Sequence, residues 1–172
     1  MQISFLHTGA IRPIPAKVIR FCLVWIAGLL IGMLLAARFD SSFFSLMRPT
    51  LGGRVSIVRQ LAAIFLPFLI AAFAAYANKL WLVYLLCLFK SCAFIYCSLA
   101  IYSGYGSAGW LVRIFLQFSD IFSLPLFCWF CIKIITGEHS AVNNLLVCII
   151  YAAIIVCIEH FAVLPFTAQL ID

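Results

Sequence analysis

The chain has 172 residues, of which 67% are hydrophobic and 9% charged, and its mean hydropathy is +1.22. A water-soluble domain needs far more polar surface, with roughly a quarter of its residues charged, so a soluble globule is excluded, as are disorder and coiled coil. The formal charge of +6 comes from 11 Lys and Arg against 5 Asp and Glu. These charges gather where apolar runs end, which fits anionic headgroups and topology rather than nucleic acid.

At roughly 20 residues per crossing, the apolar runs predict an all-α polytopic membrane protein, a bundle of about five transmembrane helices forming a single domain over 1–172. Residues 1–18 read as an interfacial tail, broken by Pro13 and Pro15. Span one is expected over about 19–38, because Phe21 to Ala37 is free of charge and Arg20 and Arg38 snorkel outward. Four more apolar runs follow it, so it reads as an uncleaved anchor rather than a secretory signal. The loop to residue 56 carries Asp40, Pro49, Gly52 and Gly53. Span two, about 57–77, is rich in Ala and contains Pro67, which predicts close helix contacts at the bundle centre and a kink.

Asn78 and Lys79 leave room only for a tight turn, so span three, about 80–102, must run antiparallel to span two. Span four is expected over about 109–135, interrupted by Gln117, Ser119, Asp120 and Pro125, and is read as a broken helix. Span five is expected over about 145–165. Arg12, Lys17 and Arg20 set the topology, with the N-terminus inside; counting all loops the bias is five cations against four.

Ionisable groups at membrane depth are costly, by at least ~2.5–3.5 kcal/mol on insertion scales. Lys90 lies too far from either end of span three to snorkel and needs a partner. Arg113, Gln117 and Asp120 follow i, i+4, i+7 spacing, which places them on one helix face. Glu159 and His160 stand near the end of span five. Lys90 and Arg113 against Asp120 and Glu159 is a neutral set, readable either as interhelical ion pairs that fix packing register or as a polar pathway through the bundle.

No catalytic residue is assigned: the sequence contains no H-E-x-x-H, G-x-S-x-G, phosphate-loop or dinucleotide motif. The three histidines are scattered, and the eight cysteines all fall in apolar stretches, so no metal and no cofactor is expected. Cys128 and Cys131 spell C-x-x-C, read as small packing residues rather than a redox pair.

Taken together, Gly28 to Ala36 (G-L-L-I-G-M-L-L-A), Leu86 to Ser91 (L-C-L-F-K-S), Gly104 to Trp110 (G-Y-G-S-A-G-W), Ser119–Asp120 before Leu124–Pro125, and Glu159 before Leu164–Pro165 resemble the stage II sporulation protein M family. In that likeness Lys90 takes the place of the family's lysine, Ser91 replaces a glycine, and Asp120 stands for an asparagine. The resemblance implies a five-span, non-enzymatic scaffold in a bacterial plasma membrane. It further implies recruitment of peptidoglycan hydrolases, the stage II sporulation proteins D and P, during engulfment. Membrane lipids are its surroundings, and an oligomer is compatible with the pattern. From the residues alone the rival is a small transport subunit binding a solute near the broken fourth helix.

Overall fold

A computed structural model describes residues 15–38, 57–105, 114, 117–137, 141–163 and 165. Among the described residues there are five long α-helices and no strand. They are α1 (Ala16–Ala37), α2 (Ile57–Tyr76), α3 (Leu80–Tyr105), α4 (Phe118–Thr136) and α5 (Ala141–Ile158), the last continued by a π-helical turn, Glu159–Val163. Among the described residues four stretches are long and apolar enough to cross a bilayer: Ala16–Ala37, Leu80–Ser103, Phe118–Thr136 and Asn144–Val163. In α2 the apolar stretch is Gln60–Tyr76. Helices satisfy every internal backbone group within the segment, the condition that hydrocarbon imposes. Leu23, Ile26, Leu30 and Leu34 on α1, and Leu146, Ile150, Ile154 and Ile158 on α5, face outward, as lipid-facing surfaces do. The chain is an all-α, multi-pass membrane protein.

Between α2 and α3 the connection is as short as a helical hairpin allows. Asn78 adopts a left-handed conformation, φ 54°. Its N–H bonds to the Ala75 carbonyl at 3.1 Å while the Lys79 N–H bonds to the Ala74 carbonyl at 2.8 Å. This is a Schellman closure, with Asn in the place usually held by Gly. Lys79 then caps the next helix, its carbonyl accepting from the Leu82 N–H at 3.0 Å. At the end of α4, Gly137 plays the left-handed role, φ 80°, its N–H bonded to the Ile134 carbonyl at 3.1 Å.

Helix directions alternate. Gly28 of α1 lies against Leu88 and Ser91 of α3, and Gly32 against Cys92 and Ile95, so α1 and α3 run parallel. A Cβ on Gly28 would come within 2.6 Å of the Leu88 carbonyl oxygen, so only glycine permits this approach. Small residues four apart give two helices close backbone contact where lipid supplies no hydrophobic drive to associate. Ala36 continues the same buried stripe.

The aromatic core sits among α2, α3, α4 and α5. Phe68 of α2 meets Phe127 edge-on at 5.5 Å and Phe130 at 5.7 Å between ring centroids, a favourable geometry for ring quadrupoles. Around them lie Ala71, Ala74, Val83, Cys131, Ile135, Cys148 and Ala152, all buried. Ala71 and Ala74 are fully buried, which places the Ala-rich face of α2 inside. Cys87 and Cys131, both fully buried, meet thiol to thiol across α3 and α4. All eight cysteines are free.

One expectation for span four is corrected. Among the described residues α4 starts at Phe118, with Gln117 as the N-cap residue; of the part expected before it, Ile114 is helical, and Arg113 lies outside the described residues. Gln117 and Asp120 therefore stand at the start of α4, where the sequence reading placed an interruption. At Pro125, by contrast, there is no break, since α4 is continuous from Phe118 to Thr136 with Pro125 inside it. A proline removes one donor and frees the carbonyl four residues back, and packed neighbours tolerate that loss in a transmembrane helix.

Candidate polar site at the start of the fourth helix

Alternating directions bring the end of α3, the start of α4 and the end of α5 to one end of the bundle, and there the polar side chains collect. Ser98 of α3 is 2% exposed and Gln117 is 4% exposed. The Ser98 hydroxyl lies 2.8 Å from Gln117 Oε1 and 2.6 Å from the Phe94 carbonyl, one turn back. Gln117 Nε2 donates to the same Phe94 carbonyl at 3.4 Å. Both ends of the amide are thus engaged on α3, which ties the N-cap of α4 to its neighbour.

Two turns deeper, Lys90 Nζ donates to Asp120 Oδ1 at 2.6 Å. The Lys90 side chain is 18% exposed and that of Asp120 38%, so the carboxylate reaches toward the bundle surface while the ammonium is held inside. Asp120 belongs to the first turn of α4, where the exposed amides and the helix dipole favour an anion. The ion pair and the Ser98–Gln117 bond together form a ladder between antiparallel α3 and α4.

The third rung comes from α5. Glu159, 4% exposed, opens the π-helical turn, and its carboxylate lies within hydrogen-bonding reach of the Ser119 hydroxyl and backbone N–H, close to Asp120. A side chain from one helix therefore covers orphan amides at the start of another. Among the described residues Glu159 Oε2 is buried with no hydrogen-bond partner, and so is His160 Nδ1. Gln60 Oε1, in the first turn of α2, is a third buried acceptor without a partner among them. The His160 ring packs edge-on against Phe161 at 5.3 Å.

Four charges, two of each sign, form a neutral set in the sequence, but only one ion pair, Lys90–Asp120, is present among the described residues. Glu159 instead takes Ser119 as its partner, because its helix end faces the amides of α4 rather than Lys90. Of the topology-setting cations, Lys17 and Arg20 sit exposed on the first two turns of α1, and Arg12 lies outside the described residues. Ser98 and the close approach at Gly28 and Gly32 carry much of this architecture and were not read from the sequence, in which Ser119 stood only as an interruption of span four and Gly28 only as the start of a resemblance motif. For the glycines a signal existed, the small-x-x-x-small spacing; a lone serine in an apolar helix gives none. Among the described residues no group of three or more His, Cys, Asp or Glu is placed to hold a metal. No family model matches the chain, and no curated protein and no solved structure does.

Proposed function

We propose that the chain is a non-catalytic integral membrane subunit of a bacterial plasma membrane that organises partner proteins. By its resemblance to the stage II sporulation protein M family, those partners are peptidoglycan hydrolases acting in engulfment. The observation that supports this reading is the pairing of Lys90 with Asp120 and of Ser98 with Gln117, which commits the polar side chains of α3 and α4 to holding helices in register. Groups spent in that way serve packing rather than turnover. Lys17, Arg20, Lys79 and Lys133 all lie toward the same end of the alternating helices, which favours that end, and the N-terminus with it, as cytoplasmic.

A second reading, a transport subunit, draws on the unpartnered Glu159 Oε2 and His160 Nδ1 beside α4. The discriminating experiment is mild-detergent purification of the tagged protein from its own cells, followed by mass spectrometry. Co-purified peptidoglycan hydrolases are expected; an ATPase or a second permease subunit in their place would overturn the scaffold reading in favour of transport. Reporter fusions at the two ends of α1 check orientation, with the N-terminal fusion expected to report cytoplasm.

A further inference from the structure

Ion pairs at membrane depth normally face the interior of a bundle, but Lys90–Asp120 does so only in part. The Asp120 side chain is 38% exposed and that of Lys90 18%. Lys90 stands well inside the apolar stretch Leu80–Ser103 of α3, about 15 Å from its start and about 20 Å from its end by helical rise. At that depth the open side of a carboxylate faces hydrocarbon unless a polar group covers it. The other cations of the described residues, Lys17, Arg20, Arg38, Arg59, Lys79 and Lys133, all stand at or near helix ends, which leaves Lys90 as the cation at this depth.

The side of α3 beside the pair is open to close approach. Lys90, Ala93 and Cys97 share it by i, i+3, i+7 spacing, and between Phe89 and Tyr102 the exposed residues of α3 are Ala93 and Cys97. A twofold interface sets one patch against itself, so the patch must offer what it needs. This one does: the Lys90 ammonium has three donors, one of them spent on its own Asp120, and the Asp120 carboxylate keeps accepting sites beyond that bond. We propose that a second copy of the chain packs against this side of α3, about a twofold axis normal to the membrane, with Asp120 of each copy accepting from Lys90 of the other. The exposed part of each ion pair is thereby covered by its equivalent, and the four charges close into a neutral set. Such pairing is independent of which partner proteins the chain organises.

The test uses the full-length chain in membranes of its own cells, oxidised with copper phenanthroline. Cys22, Cys97 and Cys157 are exposed on α1, α3 and α5, so an intermolecular disulfide reports which side of the bundle meets its copy. A dimer band is expected that Cys97→Ala removes and that Cys22→Ala and Cys157→Ala leave. The second readout is the dimer dissociation constant, from energy transfer between two fluorescent fusions diluted in lipid vesicles. The double variant Lys90→Ala with Asp120→Ala, which strands no charge, should raise that constant about tenfold, the share of two interhelical hydrogen bonds. Ala93→Leu leaves the ion pair in place on an exposed side of α3, so it keeps the fold and should raise the constant by at least about tenfold through lost close approach. No dimer band, a band that survives Cys97→Ala, or a dissociation constant unchanged in both variants would each overturn the proposal. Cys97 linked to another protein in place of a second copy would overturn it too.

Discussion

The apolar middle of the bundle and its polar end are held together by different physics. In the middle Phe68, Phe127, Phe130 and Ala152 fill space without a polar atom among their side chains. Where α4 starts, Ser98–Gln117, Lys90–Asp120 and Ser119–Glu159 form rungs between helices. In lipid the unfolded reference state keeps apolar side chains in hydrocarbon, so the apolar middle gains only dispersion and shape fit, and its losses scale with the volume removed. The polar end behaves asymmetrically. There, losing one partner leaves the other stranded, while losing both is tolerated. The lesson is that damage in the middle is graded by size, and at the polar end by whether a partner is left behind.

That contrast breaks most sharply at Lys90. Lys90→Ala strands Asp120 and is expected to lower stability by about 3 kcal/mol, whereas the double variant with Asp120→Ala should lose clearly less. Unfolding in mixed micelles, arranged as a double-mutant cycle, measures the difference; additive losses would show that the pair is not a unit. Gly28→Leu comes next, because even its Cβ meets the Leu88 carbonyl; overpacking of this kind costs about 2–3 kcal/mol and should free α1 from α3, seen as loss of an engineered disulfide between them.

Phe127→Ala tests the apolar middle. With the transfer contribution absent in lipid, only the cavity share remains, about 2 kcal/mol, and partial rescue by Phe127→Leu would confirm that volume is what counts. The smallest effect is expected from Gln117→Ala, which removes the bond to Ser98; interhelical hydrogen bonds in membranes average about 0.6 kcal/mol, so a loss above about 2 kcal/mol would mean that the ladder is cooperative.

Sequence made the helical, membrane-spanning class legible, since runs such as Phe21 to Ala37 admit no other use. Turn chemistry was legible as well: Asn78 closes α2 where a two-residue connection left no alternative. Which charges meet was not. Partner choice depends on the rotation of each helix about its axis, and Glu159 reaches Ser119 rather than a cation because a π-helical turn sets its direction, a feature without a one-dimensional trace. Pro125 misled for a related reason, since its cost is absorbed by neighbours that only the packed bundle provides.

The glycine seam has a consequence for how the protein is made. The residues that cover Gly28 and Gly32 lie on α3, with Leu88 following Gly28 by 60 positions. At about 5–20 residues per second, ribosomal synthesis takes about 3–12 s to cover that distance. During that interval α1 stands in the membrane with its closest-packing face turned to lipid. Assembly therefore has a waiting step: α1, once inserted, is completed only by α3.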